Sequence, residues 1–128
     1  MQLEDLKQDG KILKFSKGEK IYDQKSYLSD IKVFYILKGQ VLLRKKYTSL
    51  VKDEFLLQEG ELFGFLEIYH SKIRLMEAEA KTDVEVIGMD RITFERLIIS
   101  NMELSLKVIR NLSKILRTAN QRIKHLPK

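Results

Sequence analysis

The chain has 128 residues, with 24 Lys or Arg against 18 Asp or Glu, for a formal net charge of +6. At 44% hydrophobic and 33% charged residues it has the length for one domain with its own core, and it is too apolar for a disordered segment. It contains no Cys, which excludes disulfide frameworks, thiolate metal sites and Cys nucleophiles and fits a reducing compartment, with the cytoplasm as the default location.

Up to Asp90 the chain carries the period and punctuation of an all-β domain: short apolar runs separated by turn signals. The predicted strands begin with Ile12 to Phe15 and, after the Ser16-Lys17-Gly18 turn, Glu19 to Tyr22. Lys32 to Leu37 follows, whose run Val33-Phe34-Tyr35-Ile36-Leu37 is β-branched or aromatic almost throughout and reads as buried on both faces. Lys38-Gly39 turns the chain into Gln40 to Lys46, and a further strand near Glu54 to Leu57 ends at Gln58-Glu59-Gly60. From Leu75 to Ile87 the alternation is regular. Met76, Ala78 and Ala80 face inward, Leu75, Glu77, Glu79 and Lys81 outward, and Val84 and Val86 resume the apolar face after Thr82-Asp83.

Beyond Asp90 the period becomes helical. Asp90 is placed as the N-cap of a helix from Arg91 to Ile99, with Phe94, Leu97 and Ile98 as its buried stripe. Ser100-Asn101-Met102-Glu103 reads as a capping box that opens a second helix, running to Leu126 and stopped by Pro127. Along it Ile109, Leu112, Leu116, Ala119, Ile123 and Leu126 are spaced 3, 4, 3, 4 and 3, an a/d seam. The expectation is a helix docked on the β-domain in its first turns and dimerising through the later ones; a helix packed wholly on its own domain is the alternative. The domain organisation is thus 1–102, a β-domain of sandwich or barrel type with flanking helices, and 103–128, a dimerisation helix. No apolar run reaches the roughly 18 residues of a membrane span, and the N-terminus lacks a signal-peptide profile.

Little points to catalysis. The two histidines, His70 and His125, have no partner at metal-ligand spacing, so no metal site is expected. The chain has no P-loop, no G-x-G-x-x-G and no G-x-S-x-G. The informative stretch is Gly60 to Thr82. Gly64 leads into Phe65 to Tyr69, read as a short helical turn whose first N–H groups, those of Phe65 and Leu66, could meet a phosphate or carboxylate. Arg74 shares the inward parity of Met76, Ala78 and Ala80, so its guanidinium requires an anion. Either an external ligand supplies it, or Arg74 pairs with Glu61 or Glu67 or snorkels to solvent.

Gly60-Glu61-Leu62-x-Gly64, the downstream Arg74 and Ala78-x-Ala80-x-Thr82 together resemble the phosphate-binding cassette of cyclic nucleotide-binding domains, as in the catabolite-activator and fumarate-nitrate regulator family. The likeness extends over almost the whole chain. Phe34 to Val41 is similar to that family's strand-turn-strand, Leu57 to Glu61 to the approach to the cassette, Val86 to Asp90 to the exit, and Glu103 to Leu126 to the dimer helix. The resemblance implies a double-stranded β-helix, a jelly-roll-like β-roll, followed by a short helix and a long dimerisation helix. It also implies a ligand site at Gly64, Phe65, Leu66, Arg74 and Leu75, with Thr118, Ala119 and Asn120 of the long helix facing the ligand. Family members that regulate transcription carry a winged helix-turn-helix after this helix, so DNA is a partner only if such a domain follows Lys128.

Two departures bear on the ligand. Nucleotide-binding members place Glu after the second glycine, against the ribose 2′-hydroxyl, and Ser or Thr after the arginine, against the cyclic phosphate. Here those positions hold Phe65 and Leu75. The two lost contacts cost about two to three decades of affinity, which disfavours cyclic nucleotide as cofactor and leaves a weak, differently anionic or apolar ligand open. The expected function is a dimeric, ligand-sensing regulatory domain that is not an enzyme. The alternative is a structural or interaction module in which Phe65 and Leu75 fill the ribose space. A cupin-type enzyme lacks its metal-binding histidines here, and direct nucleic-acid binding rests on charge alone. That charge is uneven: from Leu104 to Lys128 there are seven basic residues and no acidic one, so the rest of the chain sums to −1.

Overall fold

The computed structural model describes residues 3–124; of the features predicted above, Leu126, His125 and Pro127 lie outside them. Helix α1 (Leu3–Asp9) precedes β1 (Lys11–Phe15), β2 (Lys20–Tyr22), β3 (Val33–Lys38), β4 (Val41–Lys46), β5 (Lys52–Leu57), β6 (Leu62–Phe63), β7 (Glu77–Ala80) and β8 (Val84–Met89). Helices α2 (Arg91–Ser100) and α3 (Met102–Lys124) close the chain. The strands form two four-stranded antiparallel sheets, in the orders β1-β8-β3-β6 and β2-β7-β4-β5.

Two apolar clusters explain the sequence pattern. One lies between the sheets and gathers Phe34, Ile36, Val41, Leu43, Phe55, Leu57 and Phe63 with Met76, Ala78, Ala80, Val84 and Val86. The other lies between the first sheet and the helices, where Val33, Leu62, Ile87 and Met89 meet Leu6, Phe94, Leu97 and Leu104. β3 feeds both: Phe34 and Ile36 point to the first cluster, Val33, Tyr35 and Leu37 to the second. Its unbroken apolar run is therefore the mark of a strand covered on both faces. The outer face of the second sheet carries charge instead. There Glu77 is only 1% exposed, covered by the Lys20 and Lys46 ammonium groups at 3.4 and 2.9 Å and by the Arg44 guanidinium at 2.9 Å.

Several local expectations change. No periodic pattern announced α1, which is seven residues long and anchored through the fully buried Leu6. The strand expected from Leu75 begins at Glu77, because the Arg74 N–H donates to the Ser26 carbonyl at 2.8 Å and the Arg74 carbonyl accepts from the Lys25 N–H at 2.7 Å. Phe65 to Tyr69 is no helix: the segment makes one turn, in which the His70 and Ser71 N–H groups donate to the Glu67 carbonyl at 3.3 and 3.0 Å. Asp90 does cap α2, its Oδ1 accepting from the Thr93 N–H at 2.8 Å. The cap of α3 falls one residue later than the capping box places it. Ser100 remains in α2 with its hydroxyl donating to the Arg96 carbonyl at 2.7 Å, and Asn101, extended at φ −135° and ψ 97°, accepts from the Leu104 N–H at 3.1 Å.

α3 lies along the β-domain for its whole length. The Lys107 ammonium reaches the Gly60 carbonyl at 3.4 Å, the Asn111 amide donates to Glu61 Oε2 at 2.8 Å, and Ile115 packs on the inter-sheet cluster. Far along the helix Arg122 pairs with Asp53 of β5. Docking thus continues into the later turns expected to serve a partner. Met102, Leu106, Ile109 and Ile123 are exposed away from this contact, Leu116 is exposed at its edge, and Leu112 and Ala119 are half-buried.

Candidate functional site

The cassette segment turns on Gly64, whose φ of +91° lies in the left-handed region. A Cβ there would stand 2.5 Å from the Lys32 carbonyl oxygen and 3.2 Å from Arg74 Nη1, so the position admits only glycine without a shift of backbone. Through this gap Arg74 reaches inward and is 3% exposed. Its Nη1 donates to Glu67 Oε1 and to the Gly64 carbonyl, both at 2.9 Å, and its Nη2 to the Lys32 carbonyl at 2.8 Å. The guanidinium lies 4.0 Å from the centroid of the Tyr22 ring, a cation–π contact. Of the partners open to Arg74, the fold supplies Glu67. Glu61 instead accepts from Asn111 of α3 and from the Gln58 N–H.

Glu67 is 1% exposed, and its Oε2 accepts from the Leu75 N–H at 3.4 Å. Burial pushes its carboxyl above the usual range, and the Arg74 guanidinium and the Leu75 N–H only partly offset this. Among the described residues no buried side-chain polar atom is left without a partner. The interior beside this pair is closed. Gly64, Leu66, Glu67, Met76, Asn111 and Ile115 are among the residues around a cavity of about 10 Å³, room for one water at most.

Next to it, on the outside, an apolar groove of about 230 Å³ runs between α3 and the second sheet. Leu66, Leu75 and Met76 form one wall with Phe55, and Ile115, Leu116 and Ala119 of α3 form the other. Lys45, Tyr47 and Asp53 stand at its polar end. Arg122 lowers the Asp53 carboxyl below the usual range, burial opposing and Tyr47 assisting. Lys45, 5.9 Å from the Tyr47 ring centroid, is the lining charge without an ion-pair partner among the described residues.

The structure therefore brings together Leu66, Leu75 and Ala119 of the predicted site, with Gly64 and Arg74 behind them in the interior. Phe65 leaves this group: its ring stacks on Phe94 of α2, centroids 6.2 Å apart and planes within 3°. Leu75 is 43% exposed. Leu66, Met76 and Ile115 line the small interior cavity together with Phe65. Thr118 lies on an adjoining polar depression with Lys114, Arg117, Gln121, Arg122 and Asp53, its hydroxyl donating to the Lys114 carbonyl at 3.0 Å, and Asn120 is exposed. Lys45, Tyr47 and Asp53 were missed, because the β4–β5 hairpin that carries them is distant in sequence from both the cassette and α3. No group of three or more His, Cys, Asp or Glu that could hold a metal occurs among the described residues. No helix among them is long and apolar enough to cross a membrane.

Solved structures share this fold. A transcriptional regulator from Thermotoga maritima superposes with a TM-score of 0.69 at 20% identity, over 96% of this chain and 95% of that one. The catabolite activator protein of Thermus thermophilus gives 0.70 at 20% identity, over 95% of this chain and 57% of that one. A CO-dependent transcription factor from Carboxydothermus hydrogenoformans gives 0.72 at 16% identity, over 94% and 51%. This chain thus spans only about half the length of the latter two. Among curated proteins no relative is matched. The cyclic nucleotide-binding domain family matches residues 12–101, from β1 to the start of α3, and the chain belongs to that family.

Proposed function

We propose that this chain is a non-catalytic sensor domain of a transcription regulator, working as a homodimer through α3, and that its effector is a small apolar acid in the groove beside Leu75. The observation that carries this reading is the groove itself. An occupant would touch Leu75 and Met76 on one side and Ile115, Leu116 and Ala119 of α3 on the other, so its binding energy depends on where α3 sits. That differential contact is what a ligand needs to shift a conformational equilibrium. Lys45 supplies a cation for an acidic end, and the cassette residues Gly64, Phe65 and Arg74 act as scaffold. The strand orders of the two sheets support a jelly-roll-like β-roll over residues 1–102, and the exposed Ile109, Leu116 and Ile123 support a dimer helix over 103–128. Matched proteins that act in transcription, one of them CO-dependent, support a regulatory role in the cytoplasm with an effector other than a nucleotide. DNA recognition would belong to a further domain.

The test is a thermal-shift screen of cyclic nucleotides, aromatic and medium-chain carboxylic acids and the matching neutral amides. Acids are expected to raise Tm, more than their amides, and the difference to vanish in Lys45→Ala. A shift by cyclic AMP that is lost in Arg74→Ala, or no response to any acid, overturns the proposal. The closed interior of about 10 Å³ favours one other reading, an interaction module without a ligand, which predicts an unresponsive Tm throughout.

A further inference from the structure

A buried arginine is costly without an anion, and here the anion comes from seven residues upstream in the same chain. Glu67 Oε1 and Arg74 Nη1 are 2.9 Å apart, with side chains 1% and 3% exposed. The carboxylate is held from both ends. Its second oxygen accepts from the Leu75 N–H, and the Glu67 carbonyl accepts from the His70 and Ser71 N–H groups, which close the turn that presents the side chain. Two carbonyls and the Tyr22 ring occupy further positions around the guanidinium.

We propose that Glu67 is a built-in ligand: a tethered carboxylate occupies the anion position on Arg74, so the arginine's site is self-liganded and closed to free anions. A free phosphate or carboxylate could bind Arg74 only by expelling Glu67, which would strand a buried carboxylate without its cation. It would also compete against a partner whose tether gives it an effective concentration on the order of millimolar or above. Removing the side chain reverses the situation. Glu67→Ala leaves an uncompensated guanidinium beside a space the size of a carboxymethyl group, which acetate matches in charge and nearly in volume. The inference stands whether or not the groove beside Leu75 takes a ligand, since that groove is tested with apolar acids at Lys45 and this site with small anions at Glu67 and Arg74.

The experiment melts the full chain, Glu67→Ala and Glu67→Ala/Arg74→Ala in sodium acetate, sodium phosphate, acetamide and sodium chloride at matched ionic strength. The wild type is expected not to distinguish acetate or phosphate from chloride. Glu67→Ala should melt roughly 10–20 °C lower in chloride and recover part of that in acetate but not in acetamide, and the double variant should show no such recovery. A wild type stabilised by phosphate as strongly as Glu67→Ala, or a folded Glu67→Ala indifferent to acetate, overturns the proposal. If Glu67→Ala does not fold in any of these salts, the wild type decides alone through the side-chain N–H resonances of Arg74. Resonances unmoved by phosphate support a self-liganded site, and resonances that titrate with phosphate refute it.

Discussion

Gly64→Ala tests the close approach on which the buried arginine depends. A Cβ would stand 2.5 Å from the Lys32 carbonyl oxygen, the same atom that accepts from Arg74 Nη2 at 2.8 Å. Relief therefore moves the entry to β3 away from the guanidinium. Gly18 is the control, with φ +89° against +91° and no atom within 4 Å of its added Cβ. Both substitutions carry the left-handed penalty of about 1–2 kcal/mol. Only Gly64→Ala adds the weakening of a hydrogen bond to a charged donor, about 1–3 kcal/mol. At roughly 3–5 °C per kcal/mol for a domain of this size, Gly64→Ala should melt at least about 3 °C below Gly18→Ala and as much as about 15 °C below it. The assay is thermal unfolding by circular dichroism, with urea melts to confirm an unchanged m-value. Equal losses in the two variants would refute the close approach, and so the account of why this turn needs glycine.

Other predictions concern charge and assembly. At Glu77 burial pushes the carboxyl up, but the Lys46 hydrogen bond and the Lys20 and Arg44 charges outweigh it and hold the group below the usual 4.5. With a folded value below the unfolded one, its contribution is complete above 4.5 and is lost as pH falls through the depressed value. Glu77→Gln should therefore be less stable than wild type at pH 7 and lose less on acidification; identical acid limbs would contradict this. Glu67 has the opposite sign. Its raised value makes the folded chain hold the proton more tightly, so its contribution is largest below the usual 4.5 and declines as pH rises through the raised value. Glu67→Gln should remove that component from the pH profile, and a profile unchanged in shape would speak against a raised carboxyl. Ile109 and Ile123 are 59% and 66% exposed, so for the proposed dimer Ile109→Glu with Ile123→Glu should give a monomer in light scattering and a Tm that no longer rises with protein concentration. A dimer that survives both substitutions removes α3 as the interface.

The strands were legible because their pattern reports burial directly. Val33 to Leu37 is apolar at every position since both faces of β3 are covered by apolar side chains, and Met76, Ala78 and Ala80 alternate with Glu77 and Glu79 since only one face of this segment meets the apolar core while the other meets Lys and Arg side chains. Asp90 was legible as a cap because the acceptor and its N–H are three residues apart. The α3 cap was not, because Ser100 and Asn101 are both competent caps, and the choice fell to the packing of Leu97 and Leu104 in one cluster. α1 carried too few residues to show a period, and its one anchor, Leu6, acquires meaning only against Ile87 and Leu97.

The candidate site divides in the same way. Sequence alone determined that a glycine turn and an inward arginine lie ten residues apart, that Phe65 and Leu75 follow them as apolar residues, and that the positive charge sits on the last helix. These are properties of residue type and parity, which local spacing carries. The tertiary structure decided which carboxylate Arg74 holds, turned Phe65 toward Phe94, and set Ile115 against Leu66 and Met76 so that the interior closes and a groove opens beside it. Each of these joins elements distant in the chain or selects among neighbours by a turn of the backbone. Partner choice for a buried charge is made by whatever surface the fold brings within about 3 Å, and no spacing along the sequence encodes that distance.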